Sequence, residues 1–407
     1  MPKSGLTLAL GVMRRQQVSS FIKIAGLAAG LACNLLIGSA FGQELAHEAV
    51  VVNIEIPVRV FQGSRFVENL TIDDFEVFEN GVLQKVEAVY LVKGKSIAKH
   101  EGAPGFTPQI ARRHFVLLFE LNDYLPEITR AVDDFVGNVL SPGDTLTVRT
   151  PLKTYHFRED SFRRLPKKEV AAQLKSLVKK DVGRASMRLR SLLREYQDLA
   201  HSEIEEELKD AERRDIIDQI VKLRSIDRAG LLETSASLKK LEGQKHLFLF
   251  MQKETIPLPA FPADITPNEL PSALDELQVH GLRKEKTGAV EAVEKAFSDA
   301  SISCHFIYLT KGMADDEGRR SYRDNTLESW SETASVFREL AKVTGGLVET
   351  TANAAAGMKK AAQASENYYL VYYAPKGYQR DGTFKTISVR IKDRNYSVFH
   401  RSGYVAD

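Results

Sequence analysis

The chain has 407 residues, 43% of them hydrophobic and 27% charged, with a formal net charge of +2. That is ordinary globular composition, with room for two or three domains. The small positive excess belongs to the N-terminus: without Lys3, Arg14, Arg15 and Lys23, 52 basic side chains face 54 acidic ones. This excludes an electrostatic case for binding nucleic acid.

The first 42 residues carry those four cations and no acid. The apolar stretch Ile24 to Phe41 follows, and Ala40-Phe41-Gly42 offers small residues before Gln43. A basic leader, an apolar core and a small-residue exit are the layout of a signal peptide, which predicts an exported protein, periplasmic or secreted. The alternative is an uncleaved membrane anchor, since about 18 apolar residues is near the minimum span. Beyond this segment nothing points to a membrane. The exported chain keeps one cysteine, Cys304, and therefore no internal disulfide; its apolar surroundings predict a buried core residue.

Residues 43–92 alternate in the manner of strands. Val50 to Val60 is one, with Pro57 pointing to a sheet edge, and Asp73 to Glu79 is another, ended by the turn Asn80-Gly81. The segment 93–113, with Gly94, Gly102, Pro104, Gly105 and Pro108, reads as a linker. A strand–helix alternation then fills residues 114–365. Phe115-Val116-Leu117-Leu118-Phe119 predicts a strand buried on both faces, and Ile128, Ala131, Val132, Phe135, Val136 and Val139 are spaced as a helix. Further strands are expected at 145–149, 154–157, 246–250 and 302–309, with histidines 246 and 305 in satisfied structural roles. Strands alternating with helices predict an α/β fold: a doubly wound, mostly parallel sheet, Rossmann-like, covered on both faces.

Residues 165–240 form a charged insert. Leu189, Leu192, Leu193, Tyr196, Leu199, Ile204 and Leu208 recur at steps of three and four, followed by Ile216, Ile217 and Ile220. This predicts a long amphipathic helix or helical pair with an alternating-sign outer face. It either packs on the domain or serves as an arm for a partner or for self-association through residues 185–225, the spacing being close to heptads. Residues 366–407 return to strands, and Tyr368, Tyr369, Tyr372 and Tyr373 predict an amphipathic strand face.

Three blocks carry a resemblance. Leu70-Thr71-Ile72-Asp73-Asp74-Phe75-Glu76-Val77-Phe78-Glu79-Asn80-Gly81, then Tyr369-Leu370-Val371-Tyr372-Tyr373 with Asp381-Gly382-Thr383-Phe384, and finally Arg401-Ser402-Gly403-Tyr404 resemble the flanking blocks of exported bacterial von Willebrand factor A-related proteins of the acidobacterial type. The alternation between them is similar to an A domain in order and position. The resemblance implies that residues 43–92 and 366–407 pack together as a small β module beside that domain. It also implies a cation site after the first buried strand, where the family has Asp-x-Ser-x-Ser and a later Ser-Asp-Gly. Here the first set reads Glu120, Leu121, Asn122, Asp123, Tyr124, and the second Met251, Gln252, Lys253. A hard cation wants compact oxygen ligands, so the loss of the serines, the bulk of Tyr124 and the ammonium of Lys253 predict a degenerate site. Glu120, Asn122 and Asp123 remain the candidates for a variant site holding Mg²⁺, and a Glu120–Lys253 ion pair is the expected replacement.

No phosphate loop, nucleophile elbow or metal-ligand histidine spacing is present, which predicts a protein that is not an enzyme and needs no cofactor. The expectation is an exported protein–protein interaction module, with a partner-binding rim of Glu120, Asn122, Asp123, Tyr124, Gln252 and Lys253. The alternatives are a metal-dependent adhesion module with a variant cation site, and an envelope scaffold or assembly factor using the insert.

Overall fold

The computed structural model describes residues 52–103, 108, 112–121, 123–157, 162, 164–200, 202–203, 205–224, 227–252, 255–257, 288–310, 326–328, 331–392 and 395–407. Residues 1–51, where a signal peptide is expected, and Asn122 and Lys253 lie outside them. The fold is mixed α/β.

The chain opens with strands β1 (Ile54–Gln62), β2 (Arg65–Phe66), β3 (Phe75–Glu79), β4 (Val82–Gln84), β5 (Val86–Lys93) and β6 (Ser96–Gly102). Strand β6 occupies the stretch expected to be a linker. It pairs antiparallel with β5 from Ala88↔Gly102 to Lys93↔Ser96, and its polar, exposed Ser-Ile-Ala-Lys-His-Glu-Gly sequence marks an edge. The side chains of Ile54, Ile56, Val58 and Val60 alternate onto one face of β1 and join Phe75, Val77, Val89 and Leu91 in a shared apolar core.

Next come β7 (Arg113–Glu120), helix α1 (Pro126–Asp134), β8 (Thr145–Arg149), β9 (Thr154–Phe157), α2 (Lys167–Ala200), α3 (Glu206–Arg224), α4 (Arg228–Lys239) and β10 (Gln244–Gln252). They are followed by β11 (Thr255–Pro257), α5 (Gly288–Asp299), β12 (Ile302–Leu309), β13 (Thr326–Glu328), α6 (Ser331–Val343), β14 (Val348–Thr351) and α7 (Ala354–Glu366). Pro126 starts α1, where a missing N–H costs nothing. The helix ends in a wider π turn at Phe135–Val139.

Six strands form the central sheet in the order β14-β12-β10-β7-β8-β9, all parallel except β9. Every residue of β10 and β12 is buried, as expected of strands covered on both faces. One face carries Phe115, Leu117, Phe119, Phe248 and Phe250 against α1, the first half of α2 and α7. The rings of Phe119 and Phe250 stack with centroids 5.0 Å apart, a contact worth about 0.5–1.5 kcal/mol beyond its area. The opposite face carries Val116, Leu118, Leu249, Cys304 and Phe306 against α4, α5 and α6.

The expected insert therefore divides. In α2, Val170, Ala171, Leu174, Val178 and Val182 seal the sheet, and in α4 Leu231 and Leu238 do the same on the other face. Between these segments, Leu192, Tyr196 and Leu199 of α2 and Ile216, Ile217 and Ile220 of α3 form a separate cluster.

The chain closes with β15 (Asn367–Tyr373), β16 (Phe384–Ile391), β17 (Ser397–Phe399) and β18 (Gly403–Val405). They return to the first strands in two sheets, β17-β1-β15-β5-β6 and β18-β16-β3-β4. Strand β1 has β15 on one side from Ile54 to Val58 and gains β17 only from Arg59, so Pro57 sits where the second side is unpaired. The tyrosine strand is not amphipathic. Tyr369 and Tyr373 enter the core shared with β1, while Tyr368 and Tyr372 are buried on the other face with Ala88, Tyr90 and Val92.

Arg59 reaches from the back of β1 toward the central sheet and is fully buried. It donates to Ala364 O at 2.6 Å, Gly345 O at 3.0 Å and Ser303 Oγ at 3.3 Å. Burial lowers its guanidinium to about 10. Near it lie His246 and His305; His305 is held as expected, its Nδ1 accepting the Leu347 N–H at 3.3 Å, whereas His246 is not. Neither ring nitrogen of His246 has a hydrogen-bond partner among the described residues, nor has Nε2 of His305. Burial first, and then the Arg59 charge, hold both imidazoles well below their ordinary value.

Candidate functional site

The strands β7 and β10 lie side by side, but the chain leaves them in opposite directions. From β7 it passes through α1, on the first face, to β8; from β10 it passes through α5, on the second face, to β12. In open α/β sheets such a divergence leaves a crevice at the carboxyl ends of the two strands, where ligands are held. Here those ends are Glu120 and Gln252, one register step apart.

A side chain of this protein bridges the two strand ends. The Gln252 Oε1 oxygen accepts the backbone N–H of Asp123 at 3.2 Å, which ties the loop after β7 to the end of β10. The Asp123 carboxylate turns outward to α2, accepting from Arg190 Nη2 at 2.9 Å and from Ser186 Oγ at 3.3 Å. Tyr124 does not join them: it packs against the core under α1, and its hydroxyl lies 3.0 Å from Thr129 Oγ1.

The cation beside Glu120 among the described residues is Arg149, at the end of the neighbouring strand β8. Its guanidinium is nearly buried, with Nη2 2.6 Å from Asp227 Oδ2 and Nη1 2.9 Å from Thr234 Oγ1. Asp227 is also the N-cap of α4, accepting from Gly230 N at 2.9 Å, which suits a carboxylate at a helix start. A methyl group at Gly230 would collide with both Arg149 Nη2 and Asp227 Oδ2, so the ends of these side chains would have to shift to admit it.

Glu120 is half-buried by area, and removal from water dominates its titration. Burial pushes its carboxyl up to about 7; Arg149 pulls it down and Asp227 pushes it further up. A guanidinium thus lies in the field of two carboxylates at the crevice, supplying the positive charge that they require.

A second buried carboxylate anchors α2 to the same rim. Asp181 accepts from Thr150 Oγ1 at 2.8 Å and from the Tyr155 hydroxyl at 2.7 Å. The structure therefore places Glu120, Asp123 and Gln252 at or just past the ends of the adjacent strands β7 and β10, and sets Arg149, Asp227, Asp181 and Arg190 around them. Their expected partners Asn122 and Lys253 fall outside the described residues.

No protein-family model and no curated protein matches the chain. Among solved structures, the human COPII-coat protein Sec24c is similar over 72% of this chain and 43% of that one, with 9% identity and a TM-score of 0.29. The chain spans less than half the length of that relative, and a likeness this loose says nothing of function.

Proposed function

We propose that the protein is an exported, non-enzymatic protein–protein interaction module of the von Willebrand A type that works without a metal ion. In this reading the central sheet is a doubly wound A domain. The strands of 54–102 and 367–405 form its β module, and partners are met at the rim around Glu120, Asp123 and Gln252. The observation that carries it is the Arg149 guanidinium beside Glu120 and Asp227: an internal cation in the crevice where a divalent ion would otherwise be needed. Support for a binding rather than catalytic role comes from the engagement of Asp123, Asp181 and Gln252 in structural bonds, which leaves no nucleophile and base in mutual reach among these residues.

The test is capture of crosslinked partners from the envelope fraction by the full chain, with and without EDTA. Capture that survives EDTA and is lost in Gln252→Ala supports the reading. Capture abolished by EDTA would favour the second reading, an adhesion module with a variant cation site; that reading draws on the mutual field of the Glu120 and Asp227 carboxylates at the carboxyl edge of the sheet.

A further inference from the structure

The α2–α3 arm is electrically polar along its length. Residues 167–194, its stem, hold nine Lys and Arg against Glu169 and Asp181, and Asp181 is buried in its bonds to Thr150 and Tyr155. Residues 195–212, its tip, hold eight Asp and Glu against Lys209. On the stem, Lys179, Lys180 and Arg184 are exposed and have no acidic partner among the described residues. On the tip, Glu205, Glu207 and Glu212 are exposed. The ion pair Arg188–Glu195 bridges the boundary of stem and tip within α2, and Arg213–Asp210 lies within α3; neither involves Lys179, Lys180, Arg184, Glu205, Glu207 or Glu212.

Each end also exposes one large apolar side chain among the described residues. Met187 is 62% exposed in the basic stem, and Leu208 is 55% exposed in the acidic tip. Neither belongs to the arm's own core of Leu192, Tyr196, Leu199, Ile216, Ile217 and Ile220. An exposed apolar residue ringed by charge of one sign fits a surface that offers an apolar residue ringed by the other. This chain carries both.

We propose that the arm is the interface of a two-fold homodimer, in which two arms lie antiparallel and the acidic tip of each rests on the basic stem of the other. A two-fold axis makes every contact twice, so Met187 of one copy covers Leu208 of the next and the reverse. The product is a four-helix assembly, an arrangement that helical pairs of this kind form readily. Anchoring of the stem by Arg190 to Asp123 and by Asp181 to Thr150 and Tyr155 holds the arm in a fixed orientation, which lowers the entropy cost of docking.

The test is light scattering after size exclusion, on the full chain and on two charge-reversed variants. One carries Lys179→Glu, Lys180→Glu and Arg184→Glu; the other carries Glu205→Lys, Glu207→Lys and Glu212→Lys. At about 100 μM, far above a micromolar dissociation constant, the wild type is expected to have twice the mass of one chain. It should revert toward one chain at about 1 M salt, where the Debye length is about 3 Å. Each variant alone is expected to be monomeric with an unchanged circular dichroism spectrum, and an equimolar mixture to restore the double mass as a heterodimer. A monomeric wild type, a variant that still dimerises, or a mixture that fails to pair would overturn the proposal. Partner capture by a monomer would refute this inference and leave the functional reading intact, whereas a dimer that captures nothing would do the reverse.

Discussion

Arg149 Nη2 and Asp227 Oδ2 stand 2.6 Å apart at the carboxyl edge of the central sheet, and Glu120 lies within the field of both. The guanidinium is fixed by geometry: it comes from the end of β8, is capped by Thr234, and is held close by the bare Gly230. Removing it in Arg149→Ala leaves two carboxylates without their cation. Because Asp227 is mostly exposed, the expected loss of stability is modest, about 1–2 kcal/mol. The sharper consequence concerns binding. Calorimetric titration with Mg²⁺, Mn²⁺ and Ca²⁺ should show uptake in Arg149→Ala and none in the wild type. Micromolar uptake by the wild type, lost in Glu120→Ala, would refute the internal-cation reading.

Glu120 should make the protein less stable as pH rises. Its folded carboxyl titrates at about 7 whereas the unfolded chain releases that proton in the ordinary carboxylate range, so the fold binds more protons between these values. Stability then falls with rising pH across that window and is level above it. Glu120→Gln removes the dependence. Urea midpoints at about pH 5 and about pH 8 should converge in the variant relative to the wild type. An unchanged difference would place the titrating group elsewhere.

The buried histidines act in the opposite sense. His246 and His305 stay neutral in the fold, with Arg59 adding to the cost of charging either, and Arg113 and His114 adding to that of His246. The unfolded chain takes up their protons below about pH 6.5. Acidification is therefore expected to destabilise the protein by up to about 1.4 kcal/mol per pH unit for each histidine. His246→Phe, which keeps a ring against Phe115, should make the acid side of the profile shallower. A profile as steep as that of the wild type would exclude His246 as a contributor.

Arg59→Met should be among the most destabilising single changes. It strips the carbonyls of Ala364 and Gly345 and the Ser303 hydroxyl of their buried donor, at an expected cost of about 3–5 kcal/mol. Thermal unfolding followed by circular dichroism would detect it, and a loss under about 1 kcal/mol would show that water replaces the guanidinium.

The strands that bury both faces were legible in the sequence, because Phe115 to Phe119 and Leu247 to Phe250 carry their signal locally. The crevice residues Glu120, Asp123 and Gln252 followed from that, since they stand immediately past those runs. Arg149 and Asp227 could not be read in the same way. One ends a short strand and the other precedes a helix 78 positions later, so only the strand order brings them together. A weak signal for Asp227 was present: an acidic residue three positions before a glycine at the start of an apolar helix. Strand β6 escaped notice because an exposed edge has no apolar period to display. The tyrosine strand misled for the converse reason, as a phenol can be buried when its hydroxyl finds a partner, and Tyr372 and Tyr373 bond Glu55 and Glu79.

The pairing of β1 with β15 also bears on how the chain reaches its folded state. Arg59 and its acceptor Ala364 are 305 residues apart in sequence, and Ile56 faces Val371 across the same ladder. The first described strand has β2 beside it at once but cannot find β15 until nearly the whole polypeptide has been synthesised. Such non-local closure makes folding slow, since a long loop must be shut before the contacts that reward it exist. The end sheets thus wait for the last strands, whereas the central sheet, from β7 to β14, has every one of its strands before they emerge.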